Sequence, residues 1–191
     1  MKGLYTNMDF VCHALVGASI GELAPRRISN RQLKGALAGM SPDIMNVFSY
    51  FYLGFRQGNP IPIASADDFK SNPWIVDHWT WIPWEISHSF LFWGLLVMPL
   101  VFLLRAPVMI GLAYLSHLIL DLPSHTGIWS TVPLYPIQIR YEGWFDAWAW
   151  SAEEIILWAT IPFLAWRACA VLRSPTNPWL VWSSETSPIR E

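Results

Sequence analysis

Five stretches of the chain are rich in apolar residues and are separated by more polar segments. The third and the fifth are about as long as the roughly 20 residues that a helix needs to cross a bilayer. The first and second contain polar residues, so a re-entrant or protein-buried helix stays open for them. The pattern predicts helices over residues 9–23, 32–55, 84–104, 107–122 and 152–171.

The connections between these helices differ sharply in length. Leu104-Arg105-Ala106-Pro107 is a tight turn, which predicts an antiparallel hairpin of the third and fourth helices. Segments 56–83 and 123–150 are long, and Pro and Trp are frequent in both. Long aromatic segments of this kind typically cover a site or lie in a membrane interface.

The composition favours a membrane protein. Hydrophobic residues make up 53% of the chain and charged residues only 14%, and there are 13 Trp; soluble domains carry roughly 25% charged residues. We therefore predict an all-α, polytopic helical membrane protein of four to five apolar helices, with both long loops on one side. It forms one domain over residues 1–173, followed by a Pro-containing tail over 174–191. The composition makes the lipid bilayer the expected partner, and the net charge of −2 gives no basic footprint for nucleic acid.

The basic residues predict the orientation of the helices. Cytoplasmic connections of membrane proteins are enriched in Lys and Arg. If all five segments cross the membrane, both long loops lie outside and three basic regions lie inside. The first contains Arg26, Arg27, Arg31 and Lys34, the second contains Arg105, and the third, at the end of the fifth segment, contains Arg167 and Arg173.

The strongest chemical signal is His117-x3-Asp121-x3-His125, in a run that is otherwise apolar. Residues four apart share a helix face, so His117 and Asp121 project together. Buried carboxylates and imidazoles are costly unless they are partnered. A divalent metal ion would be such a partner, and a hydrogen-bond network without metal is the alternative.

The predicted topology brings three further polar side chains towards this motif. His88 opens the third helix on the same side and is interpreted as a ligand or a general acid or base, with helix capping as the alternative. His13 lies near the outer start of the first helix, where core packing is the alternative. Asp43 follows Pro42 inside the second segment. A helix that is broken next to an acidic residue is typical of intramembrane sites. The alternative is that Asp43 caps a helix.

These residues predict one metal site at the outer membrane–water boundary, with His13, Asp43, His88, His117, Asp121 and His125 as ligands. Histidine and carboxylate suit Zn²⁺ best, and Mn²⁺ or Fe is also compatible. Water on such an ion becomes nucleophilic near neutral pH. Asp43 and His88 are the candidate catalytic residues, and Asp43 would orient or deprotonate that water. His78 and Arg140 are weaker candidates.

The ordered motifs resemble a known family, the bacterial membrane-bound metal-dependent hydrolases, which include LexA-regulated inner-membrane members. The resemblance covers roughly residues 8–150 and rests on His13, Gly39-Met40-Ser41-Pro42-Asp43, His88-Ser89 and His117-x3-Asp121. The family often has Pro-Asp-x-Asp, whereas Met45 stands at the second acid here.

The resemblance implies a multi-pass protein of the bacterial inner membrane that hydrolyses a substrate with a metal ion. A site at the outer leaflet would suit an amphiphilic or lipid-linked ester, including a phosphoester. The alternative is a non-catalytic membrane protein with a structural metal or a polar network, acting in assembly or stress response. A transporter is a third class, which the absence of a sequence repeat disfavours.

Overall fold

The computed structural model describes residues 9–173 and is all-helical over that part of the chain. The predicted tail over residues 174–191 lies outside the described residues. Within residues 9–173, an isolated antiparallel bridge joins Thr131 and Tyr141. The helices are α1 (Asp9–Leu23), α2 (Arg31–Ile44), α3 (Val47–Arg56), α4 (Ala66–Ser71), α5 (Ile82–Ser87), α6 (Phe90–Leu103), α7 (Val108–Ser124) and α8 (Ala152–Arg173).

Helices α1 and α2 form a hairpin of very close approach, built on two glycine pairs. Gly17 and Gly21 on α1 face Gly35 and Gly39 on α2. A Cβ at Gly39 would lie 2.6 Å from the carbonyl oxygen of His13, and one at Gly35 would collide with the backbone of Gly17. Only residues without a side chain allow this contact, as at small-residue interfaces of membrane helices.

The second apolar stretch forms two helices and not one. The break falls at Met45 and Asn46, whereas Pro42 lies inside α2. Proline has no N–H for the carbonyl oxygen of Ala38, and the Ser41 hydroxyl donates to that oxygen instead at 2.8 Å. The helix therefore continues past the proline and carries Asp43 in its last turn.

The third and fourth stretches pack as the predicted hairpin. Helix α6 begins after Ser89, later than the predicted start at Trp84, and contains a π-helical turn over Trp93–Val97. The indole of Trp93 donates to the carbonyl of Gly111 on α7 at 2.8 Å. Arg105 makes the turn with a left-handed φ of 51°.

The two long connections are more structured than predicted. The first contains α4, whose start is fixed by a reciprocal capping box between Ser65 and Asp68. Side chains from both connections bury an aromatic cluster against α3 and α5, made of Leu53, Ala64, Phe69, Ile75, Trp81, Trp84 and Trp129. This cluster places the start of α6 beside the end of α7.

One helix of the described part, α8, is long and apolar enough to cross a membrane by its length and composition. Three shorter apolar helices cover Phe10–Leu23, Phe90–Leu103 and Val108–Ser124. Helix α8 packs against α1, and the Arg173 guanidinium donates to the carbonyl oxygen of Leu23 at 2.6 Å. The last turns of α8 and α1 therefore lie at the same end of the bundle.

Candidate metal centre

The structure brings all six predicted ligand side chains to one end of the helix bundle. Five of them are at most 2% exposed, and the side chain of Asp43 is 18% exposed. Helix α1 contributes His13, α2 contributes Asp43, the α5–α6 junction contributes His88, and α7 and the residue after it contribute His117, Asp121 and His125.

The tightest part of the centre surrounds the Oδ2 atom of Asp121. The Nε2 atom of His117 lies 3.0 Å from it and the Nε2 atom of His88 lies 3.2 Å from it. The two Nε2 atoms are themselves only 3.1 Å apart. Three atoms that can each offer a lone pair thus converge on one point.

The other ring nitrogens show which atoms carry the protons. Nδ1 of His117 lies 2.7 Å from the carbonyl oxygen of Gly39, and Nδ1 of His88 lies 2.8 Å from that of Trp84. Because a carbonyl oxygen only accepts, each Nδ1 must donate. In the neutral tautomer each Nε2 then presents a lone pair to the centre, the arrangement found in metal-ligating histidines.

Asp43 adds a fourth atom to this group. Its Oδ1 atom lies 3.6 Å from Nε2 of both His88 and His117. Zinc bonds of about 2.0–2.2 Å in a tetrahedron imply ligand atoms roughly 3.3–3.6 Å apart. The measured separations of 3.0–3.6 Å fall close to this range, so the residues present fit a small tetrahedral ion.

The second oxygen of Asp121 faces the remaining histidines. His13 Nε2 lies 3.0 Å from Oδ1, and His125 Nδ1 lies 3.7 Å from it. Within residues 9–173, no well-directed hydrogen bond reaches either Asp121 oxygen. Buried carboxylate oxygens normally have partners, so this acceptor pair is suited to a cation.

The charges of the centre favour positive charge at its middle. The carboxylate oxygens of Asp121 and Asp43 lie 3.2 and 3.6 Å from Nε2 of His88. Two negative charges this close to the ligand atoms attract a metal cation.

Backbone contacts fix the positions of the ligands. The Ser87 hydroxyl donates to the carbonyl of Pro42 at 3.0 Å, and the Tyr114 hydroxyl donates to the carbonyl of Ser87 at 2.6 Å. These bonds tie α2 and α7 to the residue that precedes His88. The loop that follows α7 closes the site, because the amide of Gly143 donates to the carbonyl of His125 at 2.8 Å.

An aromatic wall lines one side of the centre. The ring of Trp84 lies 4.4 Å from that of His88, and the ring of Trp148 lies 6.0 Å from that of His125, between centroids. Trp129 stacks on Trp148 at 4.1 Å. This wall keeps the surroundings apolar and strengthens electrostatic interactions inside the site.

The two weaker candidates have other partners. His78 bonds to the hydroxyl of Thr80 at 3.0 Å and stacks on Tyr52. Arg140 pairs with Glu85 at 3.1 Å and donates to the carbonyl of Ser130 at 2.7 Å. Among the described side chains, neither residue belongs to a group that could hold a metal ion.

Sequence reasoning missed the glycine and the backbone atoms that support the ligands. Gly39 both allows α1 to approach and supplies the carbonyl oxygen for His117. The spacing Gly35-x3-Gly39 could have pointed to this close contact, since Gly17 and Gly21 show the same spacing. The carbonyl oxygen of Trp84 leaves no comparable signal in the sequence.

Comparison of the chain with protein-family models, with curated proteins and with solved structures gives no match.

Proposed function

We propose that this centre binds one divalent metal ion, with Zn²⁺ preferred over Mn²⁺ or Fe, and that the protein is a membrane-embedded hydrolase. One observation carries the proposal. Two imidazole lone pairs and a carboxylate oxygen converge within 3.0–3.2 Å of one another in a buried place, with both Nδ1 protons directed away. Without a cation these acceptors repel one another.

The donor set assigns the roles of the residues. His88, His117 and Asp121 would hold the ion, since imidazole and carboxylate together suit zinc and related metals. When bound, such an ion polarises water or an ester oxygen so that hydrolysis can occur near neutral pH. Asp43 is the farthest and most exposed member of the group, and its Oδ1 atom would accept the proton of the attacking water.

The charge distribution supports a multi-pass arrangement in a bacterial inner membrane. The α1–α2 and α6–α7 turns and the end of α8 lie away from the centre and carry Arg26, Arg27, Arg105 and Arg173. The end with the centre carries acidic residues in its connections, among them Asp67, Glu142 and Asp146. The positive-inside rule then directs the centre towards the extracytoplasmic side.

This location suggests the class of substrate. A site at the outer boundary of the bilayer would be reached by an amphiphilic molecule whose polar group lies at the interface. We propose an ester or phosphoester of a lipid or lipid-linked compound. The partial exposure of Asp43 gives such a substrate a point of approach.

The burial of the centre favours one alternative. Structural metal sites are closed by protein ligands, whereas catalytic sites keep an open position. Asp121, His117 and His13 are almost fully buried, as a closed site requires. A non-catalytic membrane protein with a structural metal, in which Asp43 completes the coordination, is therefore the second candidate.

Metal content tests the proposal first. Detergent-purified wild-type protein is expected to contain one metal ion per chain by elemental mass spectrometry, and Asp121→Asn and His117→Ala should lose it. The matched controls are Asp67→Asn, at an exposed position of α4, and His78→Ala, which should retain it. Protein without stoichiometric metal, or equal metal in the Asp121→Asn and Asp67→Asn variants, would refute the metal centre.

Asp43→Asn separates the two candidate functions. In a hydrolase this variant keeps most of the metal and loses turnover of lipid ester and phosphoester substrates. In a structural site the wild type shows no such turnover, and Asp43→Asn weakens metal binding together with thermal stability.

A further inference from the structure

A second feature of the molecule lies at the opposite end of the bundle from the metal centre. A cavity of about 820 Å³ opens between the last turn of α1, the α1–α2 connection, the α6–α7 turn and α7 from Val108 to Ile119. Its volume falls within the roughly 300–1,000 Å³ typical of ligand pockets. Its mouth is at Val108, about 20 Å from Asp121 along α7, and its lining then follows α7 as far as Ile119.

The lining of this cavity is apolar. Leu23, Val108, Leu112 and Ile119 contribute to it and are all exposed. Leu112 and Ile119 are seven residues apart and therefore lie on one face of α7. That face differs from the buried one that carries His117 and Asp121, so the cavity is separate from the metal centre.

Two arginines supply the charges among the described residues that line the cavity. Arg27 and Arg105 are both exposed, and none of the lining residues within 9–173 is acidic. Over the same part of the chain, neither guanidinium forms an ion pair with a carboxylate. An apolar channel with two positive charges is complementary to an amphiphile with an anionic head.

We infer that this cavity binds an anionic phospholipid. The lipid phosphate would lie between Arg27 and Arg105, since guanidinium groups bind phosphate oxygens in pairs. An acyl chain would follow Leu112 and Ile119 along α7. Basic pockets between membrane helices on the cytoplasmic side are typical sites for anionic lipid heads.

The inference rests on the proposed membrane insertion, but not on the metal ion or on hydrolysis. A free anion such as inorganic phosphate shares the charge chemistry of the lipid head. It would gain nothing from the apolar lining, however, because that surface stabilises only a hydrocarbon chain. The lipid is therefore the occupant that uses both halves of the cavity.

The test measures lipid binding to the full chain in detergent. Native mass spectrometry is expected to show tighter binding of phosphatidylglycerol than of phosphatidylcholine, and no retained inorganic phosphate. The double variant Arg27→Gln/Arg105→Gln should weaken phosphatidylglycerol binding by about fivefold for each arginine removed, and should abolish the preference for phosphatidylglycerol over phosphatidylcholine.

The matched control is Arg26→Gln/Lys34→Gln, which removes two positive charges from the same end of the bundle outside the cavity lining. It should bind phosphatidylglycerol like the wild type. Equal loss in both double variants, equal binding of the two lipids by the wild type, or retained inorganic phosphate would each overturn the inference. Metal content should be unchanged in both double variants, so a failure here is distinguishable from a failure of the metal centre.

Discussion

The close packing of α1 on α2 leads to a prediction that links the fold directly to the metal centre. Replacing Gly39 by Ala adds a single methyl group at the point where the two helices are in contact. The new Cβ atom would lie 2.6 Å from the carbonyl oxygen of His13 and 3.3 Å from the Cα atom of Gly17. Both neighbours are backbone atoms, so neither can rotate away.

The size of the effect follows from these distances. Ordinary contact begins near 3.4 Å, so α1 and α2 must separate by about 0.8 Å at this point, and overpacking of this kind costs roughly 1–3 kcal/mol. The carbonyl of Gly39 also accepts from His117 at 2.7 Å. A shift of α2 by this amount would stretch that bond to at most about 3.5 Å, near the limit of a hydrogen bond, so we expect metal affinity to fall by up to about 10–100-fold.

Gly94→Ala is the matched control, because a Cβ atom at Gly94 would meet nothing within 4 Å. Thermal unfolding and metal content would be measured for both variants in the same detergent. Gly39→Ala should melt earlier and bind metal more weakly, whereas Gly94→Ala should match the wild type or exceed its stability by up to about 1 kcal/mol. Wild-type stability and metal binding in Gly39→Ala would refute the packing argument.

Three further substitutions test other contacts. Tyr114→Phe removes the 2.6 Å hydrogen bond to the carbonyl of Ser87 and should lower the free energy of unfolding by about 1–3 kcal/mol; unchanged thermal unfolding would contradict this. Arg105 has a left-handed φ of 51°, a conformation that costs an L residue about 1–2 kcal/mol and that glycine adopts freely. Arg105→Gly should therefore leave the melting temperature unchanged or raise it, and a lower melting temperature would contradict the left-handed turn. Burial raises the pKa of Glu85 while Arg140 opposes the rise, so the contribution of Glu85 to stability declines as pH increases through the raised pKa. Arg140→Gln should lose some stability at every pH, because its hydrogen bond to the carbonyl of Ser130 is lost, and should lose more at neutral than at acidic pH, as measured by chemical denaturation across pH; an equal loss at both would contradict the pairing.

The positions of the helices were largely predictable, because apolar stretches and the helix-breaking residues between them depend on the local sequence alone. The predicted 9–23 coincides with α1, and the fourth and fifth segments differ from α7 and α8 by about two residues at one end. The break that Pro42 predicted in the second segment was placed wrongly, since it falls at Met45 and Asn46. Whether a proline ends a helix depends on a partner for the freed carbonyl, here the Ser41 hydroxyl, and hydropathy does not contain that information.

The clustering of the ligands was predictable for a different reason. The i, i+4 spacing places His117 and Asp121 on one face, and alternating helix directions bring His13, Asp43 and His88 to the same end. The sequence does not predict the orientation of each imidazole ring. That orientation depends on carbonyl oxygens of Gly39 and Trp84, which any residue type could supply.

The position of Met45 bears on how many ions the centre would hold. The family that the motifs resemble often has a second acid there, but Met45 caps α2 and is 43% exposed. An acid at this position would add charge at the rim and not among the buried ligands.

Asp43 and Asp121 carry two negative charges, and His88 and His117 are neutral when they ligate through Nε2. One divalent ion balances this set, whereas a second would leave a large uncompensated charge in apolar surroundings. The charge balance therefore favours a single ion per chain, and two tightly bound ions would show that His13 and His125 form a position of their own around the second oxygen of Asp121.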